Sequence, residues 1–284
     1  MPELPEVETT IRDLRPKVVG RSFKWVEVGI PRMVRFPSPD AFKAGLVGRT
    51  ITAAERRGKF LLFPLDHGAF VVHLMMGGAL LRMDLKREVL AAAEPTATWM
   101  GRQPGKYTRL RFGLDDESEL WLVNPRTLGG VWLVDDPAQV VGHLGPEPLD
   151  PSFTASKLAE RLKGRSAPIK PLLLSQEVVA GIGNIYADES LFLAGIRPER
   201  PADELKPAEV KRLHASIVTA LNKGVEFRGT SLDDFVNPDG SEGAHQTQLN
   251  VFRRGGLPCP KCGTPVTRTF FRGRGTHFCP RCQK

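Results

Sequence analysis

Three things are scarce or missing in this chain of 284 residues, and each absence excludes a class of protein. No apolar run approaches the ~18 residues that a transmembrane helix needs. The N-terminus is acidic and lacks the hydrophobic segment of a signal peptide. There are only four cysteines, and all of them lie near the C-terminus. We therefore expect a cytoplasmic protein with no membrane partner and no structural disulfides. The length of the chain is sufficient for two domains and a small appendage.

Acidic residues are absent from the last part of the chain, between Val251 and Lys284. This tail holds eight Lys or Arg, and the net charge of the whole chain is +8, so the tail accounts for the entire excess. A compact basic segment of this kind is typical of a surface that binds a polyanion, with nucleic acid as the favoured partner. A basic tail that is merely solvated is the alternative.

The four cysteines form two C-x-x-C pairs inside this tail: Cys259 with Cys262, and Cys279 with Cys282. The spacing matches a structural Zn²⁺ site with four thiolate ligands, and a redox dithiol pair is the alternative. Between the pairs, the residues favour a β-hairpin. Its predicted turn, Arg272–Gly275, places Arg272 and Arg274 next to glycines, where a guanidinium could reach a phosphate or could simply be solvated.

The N-terminus begins Met1-Pro2-Glu3, before a helix predicted from Pro5 to Gly20. Removal of Met1 would leave Pro2 with a free secondary amine, and an α-amino group has a pKa of about 7.7–8.0. Such an amine can attack a sugar carbon and form a Schiff base, with Glu3 as the general acid or base. A proline-rich helix start is the alternative interpretation.

The pattern of the remaining chain changes once. Seven short runs rich in β-branched and aromatic residues predict an antiparallel sandwich or barrel before residue 135, interrupted by an Ala-rich insertion at about 86–106. Helical periodicity predominates from Ser152 to Gly229. The predicted strands are Phe23–Val28, Thr50–Ala53, Phe60–Phe63, Phe70–Leu74, Tyr107–Phe112, Glu119–Val123 and Gly130–Val134.

Several polar residues stand at glycine turns. The Gly181-Ile-Gly-Asn184 turn before a helix can form an anion site, or Asn184 can serve as a helix cap. Lys59 follows Gly58 at a strand start and is either a charge that protects a sheet edge or a phosphate ligand. His73 ends a strand, and Met76 follows on a glycine-rich loop, where it could pack in a core or unstack bases.

Taken together, these motifs resemble the formamidopyrimidine-DNA glycosylase family, which includes the endonuclease VIII branch. The resemblance runs from Pro2 to Lys284. It rests on the stretches Pro2–Thr9, Arg57–Lys59, His73–Met76, Asn124–Arg126, Gly183–Glu189 and Gly275–Cys282.

The resemblance implies a bifunctional glycosylase and AP lyase that flips an oxidised base out of double-stranded DNA. Pro2 would attack C1′, and Glu3 would protonate or stabilise the opening sugar. Lys59 would hold phosphates and assist β-elimination, and Arg274 would bind the lesion phosphate and assist δ-elimination. Glu6 would support the catalytic end. The implied DNA contacts are His73, Met76, Tyr107, Arg126, Leu128, Arg165, Lys170 and Asn184.

Within the family, the segment Arg228–Phe235 and the loop to Asn250 resemble the segment that caps 8-oxoguanine. This favours oxidised purines. Some positions depart from the family pattern: Leu128 stands where Phe is expected, Met75 replaces a glycine, and Tyr107 replaces a DNA-contacting histidine. These departures concern the choice of lesion rather than the chemistry.

We therefore predict an α+β multidomain fold. An N-terminal helix and antiparallel β-sandwich occupy residues 2–134, and a hinge spans 135–151. A helical helix–two-turn–helix domain with the lesion-capping loop spans 152–250, and a zinc ribbon spans 251–284. The predicted protein is a monomeric base-excision-repair enzyme of bacterial type that acts on nucleoid DNA. An endonuclease VIII-like enzyme for oxidised pyrimidines and a catalytically silent DNA-binding homologue are the alternatives.

Overall fold

The computed structural model describes residues 1–84, 104–232 and 235–284. The described chain divides into two compact units. The first consists of Met1–His143 together with Phe227–Ala244, and the second of Leu144–Glu226 together with His245–Lys284. Most of the predicted insertion at 86–106 lies outside the described residues.

The first unit begins with helix α1 (Leu4–Val18), close to the predicted Pro5–Gly20. Its apolar positions Val7, Ile11 and Leu14 fall at helical spacing and are fully buried. Glu3 is the N-cap residue and forms a capping box with Glu6, which satisfies backbone N–H groups of the first turn.

Two sheets pack face to face behind α1 and form the predicted sandwich. In the first sheet the strand order is β1-β7-β8-β6, and in the second it is β2-β9-β5-β4-β3. Phe70 of the second sheet contacts Phe23 and Phe112 of the first, with ring centroids 5.8 and 5.1 Å apart. The strands are β1 (Phe23–Val28), β2 (Val34–Phe36), β3 (Glu55–Arg57), β4 (Phe60–Pro64), β5 (Ala69–His73), β6 (Ala79–Met83), β7 (Thr108–Leu114), β8 (Glu119–Val123) and β9 (Gly130–Val134).

Six of the seven predicted strands are confirmed to within a few residues, but Thr50–Ala53 is not a strand. Thr50 and Ile51 make isolated bridges only. Strands β2, β3 and β6 were not predicted, and neither was helix α2 (Pro39–Leu46). Pairs of neighbouring strands are antiparallel as expected, except that β2 and β9 are parallel.

The second unit contains the helices that periodicity predicted. They are α4 (Ala155–Leu162), α5 (Ile169–Leu174), α6 (Asn184–Ala194) and α7 (Pro207–Glu226), and a short helix α3 (Ala138–Val141) precedes them in the first unit. Apolar side chains from these helices, including Leu158, Leu191 and Leu213, are fully buried. No helix in the described parts of the chain combines the length and apolarity needed to cross a membrane.

A β-hairpin near the C-terminus pairs β10 (Thr267–Phe271) with β11 (Arg274–Phe278). Arg272 and Gly273 form its two-residue turn, and both have positive φ angles, of 48° and 77°. Two positive φ values in a two-residue loop match the right-handed twist of the flanking strands. The predicted hairpin is therefore present, with a turn two residues shorter than expected.

The segment 227–244 belongs to the first unit rather than to the helical unit that surrounds it in sequence. Arg228 forms an ion pair with Asp13 of α1, with 2.6 Å between Nη2 and Oδ2. Thr230 N–H donates to Glu6 Oε1 at 2.8 Å. The prediction had grouped this stretch with the helices in a domain of residues 152–250, whereas these contacts attach it to α1.

Candidate functional site

The start of α1 carries two buried candidate residues. Pro2 is buried, and the carboxylate-bearing Glu3 is 3% exposed. Met1 precedes them and is 47% exposed. The residue whose removal would free the Pro2 amine is therefore accessible. While Met1 is attached, the Pro2 nitrogen is an amide and is not nucleophilic.

Glu6 fixes the geometry of this end. Its Oε2 accepts a hydrogen bond from Glu3 N–H at 2.8 Å, and its Oε1 accepts one from Thr230 N–H at 2.8 Å. Glu6 is 1% exposed, so one buried carboxylate binds both the first turn of α1 and the segment after Arg228. The supporting role that the resemblance implied for Glu6 stays a prediction.

Lys59 occupies the turn between β3 and β4, directly after Gly58, whose φ is 56°. The lysine is only 7% exposed. The hairpin is fixed to α1 by Arg56, whose Nε lies 2.7 Å from Glu8 Oε2. The turn that presents Lys59 is thus held by the same helix that begins beside Pro2.

His73 lies at the end of β5, where it pairs with Phe60, the residue after Lys59. Burial and then the Lys59 charge lower the pKa of His73 to about 4, so its imidazole is neutral near pH 7. Its Nδ1 accepts a hydrogen bond from Met75 N–H at 3.2 Å. The remaining ring proton is therefore on Nε2, which is left as a donor suited to a phosphate oxygen.

Asn124 organises two loops beside His73, and the sequence analysis assigned it no role. It is fully buried, and its Nδ2 donates to Leu74 O at 2.8 Å. Its Oδ1 accepts from Leu128 N–H at 3.4 Å. Asn124 therefore joins the loop after β5 to the loop before β9. The Asn-Pro-Arg motif was a signal for it.

Three of the DNA contacts that the resemblance implied stand on these two loops and are exposed. Met76 is 36% exposed, Leu128 is 40% exposed, and Arg126 is also exposed. Arg126 Nη1 lies 3.6 Å from Met76 Sδ. Exposed apolar side chains beside an arginine can enter a duplex and fill the space of a flipped base.

Three arginines donate hydrogen bonds to the loop before β9. Arg109 Nε donates to Asn124 O at 2.7 Å, Arg35 Nη2 donates to Gly129 O at 3.3 Å, and Arg32 hydrogen-bonds Thr127. None of the three was predicted, because scattered arginines carry no spacing signal. Tyr107 is partly buried and accepts Asn124 N–H on its carbonyl, while Lys106 lies over its ring.

In the second unit, the exposed Arg274 begins β11 beside the hairpin turn. A cavity of about 280 Å³ lies next to it, between the hairpin and α5. Its lining includes Lys170, Ser175, Phe271, Arg272 and Arg274. The cluster of cationic groups around a small cavity suits an anion such as a phosphate.

Lys170 and Asn184 both hydrogen-bond the start of β11. Lys170 lies in helix α5 and is 1% exposed. Asn184 is not the helix cap, since Gly183 is the N-cap residue of α6. Lys170 Nζ and Asn184 Nδ2 both donate to Gly275 O, at 3.0 and 2.9 Å. Pro171 follows Lys170 and lies in the first turn of α5, where a helix tolerates proline. Arg165, by contrast, is exposed after the end of α4.

The four cysteines of the ribbon converge as predicted. Their Sγ atoms all lie within 4.8 Å of one another. The Cys259–Cys282 and Cys262–Cys279 separations are 3.9 and 3.5 Å. A tetrahedral Zn²⁺ with bonds of about 2.3 Å requires sulfurs about 3.8 Å apart, so the residues fit the ion.

Two of the four thiols have pKa values that are shifted in opposite directions. Hydrogen bonds from Thr264 lower the pKa of Cys262 to about 6, whereas burial and neighbouring sulfurs raise the pKa of Cys282 to about 12. Bound Zn²⁺ keeps all four sulfurs deprotonated. The ribbon is a structural zinc site, as the two C-x-x-C pairs predicted.

Family models match consecutive stretches that span most of the chain. They are the formamidopyrimidine-DNA glycosylase N-terminal domain over residues 1–131, its H2TH domain over 144–236, and the zinc finger found in FPG and IleRS over 256–284. The fold and these matches define a DNA-repair glycosylase with a helical DNA-binding domain and a zinc finger. The chain belongs to the formamidopyrimidine-DNA glycosylase family.

Full-length relatives agree with this assignment. The chain is 46% identical to formamidopyrimidine-DNA glycosylase of Symbiobacterium thermophilum, covering all of this chain and 89% of the relative. It is 43% identical to that of Geobacillus kaustophilus, with both chains fully covered. The predicted family and enzyme class, a DNA glycosylase and AP lyase, are confirmed.

Solved structures match over nearly the whole chain. The MutM (FPG) protein from Thermus thermophilus is 40% identical with a TM-score of 0.85, covering 99% of this chain and 98% of that one. A Lactococcus lactis FPG mutant in complex with Fapy-dG-containing DNA is 34% identical with a TM-score of 0.87, with both chains fully covered. The predicted α+β fold is thus confirmed.

Proposed function

We propose that this enzyme removes oxidised purines, namely 8-oxoguanine and formamidopyrimidines, from double-stranded DNA and cleaves the resulting abasic site by β,δ-elimination. The observation that carries the proposal is the buried Pro2-Glu3 pair at the start of α1, in a chain of this family. A secondary amine held there on a packed helix, next to a carboxylate, is a preorganised nucleophile.

In the first step, the unprotonated Pro2 amine attacks C1′, the bond between C1′ and the damaged base breaks, and the base leaves with the proton that the Pro2 nitrogen loses. Glu3 donates a proton to the sugar ring oxygen as the ring opens, which leaves an iminium ion between Pro2 and C1′. The Glu6 hydrogen bonds to Glu3 and Thr230 keep this carboxylate end in one orientation. Preorganisation of this kind lowers the cost of reaching the transition state.

Strand cleavage then follows from the iminium ion. Loss of a C2′ proton breaks the C3′–O bond, and a second elimination breaks the C5′–O bond. Lys59 supplies positive charge for the departing phosphate in the first of these steps, and Arg274 does so in the second. His73, Tyr107, Arg126, Arg165, Lys170 and Asn184 contribute to DNA binding, and Met76 and Leu128 fill the space that the flipped nucleotide leaves.

The preference for purines rests on the segment Arg228–Phe235, of which residues 233–234 lie outside the described residues. Its start is fixed to α1 by the Arg228–Asp13 ion pair and the Thr230–Glu6 hydrogen bond, so a capping loop would be anchored on the helix that carries Pro2. The Lactococcus lactis protein has been captured with Fapy-dG-containing DNA and also with oxidized-pyrimidine-containing DNA.

The test is borohydride trapping with protein that lacks Met1, on duplexes carrying 8-oxoguanine, formamidopyrimidine or thymine glycol. We expect a covalent adduct with the two purine lesions. Protein that retains Met1 is the matched control and should form none, because its Pro2 nitrogen is an amide. Pro2→Gly should reduce excision at least ~100-fold, in line with the losses seen when a nucleophile is removed.

The outcome on the three duplexes separates the alternatives. Adducts on thymine glycol alone would support an endonuclease VIII-like enzyme. DNA binding with no adduct on any duplex would support a catalytically silent homologue and refute the proposed chemistry.

We further propose that the protein acts as a monomer on nucleoid DNA in the cytoplasm, with damaged or abasic-site DNA as its partner. Sedimentation with a lesion duplex tests the stoichiometry.

A further inference from the structure

A buried group of charged and polar side chains in the second unit joins helices α5 and α6 to strand β11. Asp188 of α6 is fully buried and Lys170 of α5 is 1% exposed. Lys170 Nζ lies 2.7 Å from Asp188 Oδ1. Because a buried charge is costly without a partner, the lysine and the carboxylate each determine where the other can lie.

The second carboxylate oxygen of Asp188 holds the backbone of β11. Asp188 Oδ2 accepts a hydrogen bond from His277 N–H at 2.9 Å and lies 3.3 Å from His277 Nδ1. Strand β11 is therefore attached to α6 through its main chain, and not only through side-chain packing. A shift of the strand along the helix would break a charge-assisted hydrogen bond.

Lys170 extends this attachment toward the hairpin turn. Besides Asp188, its ammonium group donates to Gly275 O at 3.0 Å and to Thr276 Oγ1 at 2.8 Å. The Thr276 hydroxyl in turn donates to Arg274 O at 3.2 Å. A continuous series of contacts thus runs from Asp188 through Lys170 and Thr276 to the backbone of Arg274.

We propose that Asp188 is a positioning residue for Arg274: it holds Lys170 and β11 so that the Arg274 guanidinium is presented in one place for a DNA phosphate. The proposal rests on the proposed function of Arg274 as a phosphate ligand. Lys170 then contributes to DNA binding through the placement of Arg274, because its buried ammonium group already lies against Asp188, Gly275 and Thr276.

An apolar pair of similar size could fill the space of Lys170 and Asp188, but it could not hold the Gly275 carbonyl and the Thr276 hydroxyl. Buried polar groups are strongly orienting only when every member has a partner. The charged pair therefore serves the placement of the strand rather than the packing of the helices.

The first measurement is hydrogen exchange of Asp188→Asn without DNA. The amide preserves the size of the side chain, but it keeps one acceptor oxygen, so either Lys170 or His277 N–H faces an NH₂ group. We expect exchange at residues 274–278 to rise at least tenfold. Asp203→Asn is the matched control, since Asp203 is an exposed residue of the same unit and the variant has the same net charge.

The second measurement is binding to a duplex with an abasic-site analogue over a range of salt concentrations. Loss of one ordered phosphate contact should weaken binding about tenfold and reduce the slope of log K against log salt by about 0.9. A loss of stability alone would not change this slope in the folded fraction. Zinc content is measured for each variant, so that a collapsed ribbon is recognised.

A second variant keeps the test decisive if Asp188→Asn does not fold. Thr276→Val retains the Asp188–Lys170 pair but removes the hydroxyl that links Lys170 to Arg274 O. It should keep its zinc and still show the shallower salt slope.

Wild-type exchange rates and a wild-type slope in the folded variants would overturn the inference. A wild-type protein that traps no lesion would refute the proposed function instead, while the exchange measurement without DNA would still report on Asp188.

Discussion

The replacement Glu6→Gln tests whether one carboxylate holds the start of α1 to the segment after Arg228. Glu6 is 1% exposed, and its two oxygens accept from Glu3 N–H and Thr230 N–H, both at 2.8 Å. Glutamine keeps one acceptor, so one of these buried N–H groups must face an NH₂ group.

The expected magnitude follows from that lost bond. A hydrogen bond to a charged group contributes about 1.5–3 kcal/mol, and an unsatisfied buried donor costs about 1–3 kcal/mol. These are overlapping measures of one loss, so we expect the free energy of unfolding to fall by about 1.5–3 kcal/mol. Glu6→Ala removes both acceptors and should cost more.

A urea titration followed by tryptophan fluorescence measures this loss in the right part of the molecule. All four tryptophans precede residue 133, so the signal reports the first unit. Glu55→Gln is the control, because it makes the same chemical change at an exposed position. A loss below about 0.5 kcal/mol for Glu6→Gln, which is the range of ordinary surface changes, would refute the argument.

Three further predictions concern other parts of the site. First, the pKa of His73 is lowered to about 4, so the unfolded chain binds more protons than the folded chain between pH 4 and 6.5. The free energy of unfolding of the first unit should therefore rise with pH across this window, by up to about 1.4 kcal/mol per pH unit. His73→Asn should flatten this pH dependence, as measured by tryptophan fluorescence. Second, Arg274→Ala should weaken binding to a lesion duplex and reduce the salt slope by about 0.9; an unchanged slope in a binding titration would contradict the phosphate role. Third, Met75 has a φ of 53°, so Met75→Gly should raise the free energy of unfolding by about 0.5–1 kcal/mol in the same urea assay, and a loss of stability would show that the Met75 side chain contributes more than its backbone strain costs.

Much of the fold could be predicted because it depends on local patterns. The apolar spacing of α1, the strands β1, β8 and β9, and the two C-x-x-C pairs each follow from residues close in sequence. Helix α2 also had a local signal that went unused, since Ser38 accepts from Ala41 N–H and Pro39 follows it, as is typical of a helix start. Strand β2 had none, because its partner β9 lies about a hundred residues away.

The site was harder to predict where it depends on tertiary neighbours. The neighbours of Lys170 in sequence, isoleucine and proline, gave no indication that it would form a buried ion pair with Asp188. Asn124 and the arginines around its loop are likewise defined by contacts with backbone carbonyls. Met75 stands where the family has a glycine. The left-handed backbone conformation of Met75 could be recognised only in the structure.

The return of residues 227–244 to the first unit has a consequence for how the protein is made. Ribosomes deliver the N-terminal part first, and domains generally fold as units while synthesis proceeds. Here the buried Glu6 carboxylate lacks its Thr230 partner until more than eighty residues of the second unit have been synthesised. The hydrogen bond between Glu6 and Thr230 can therefore form only after most of the helices of the second unit have been synthesised. A truncated product that stops before residue 227 would carry Pro2 and Glu3 on an unfinished support.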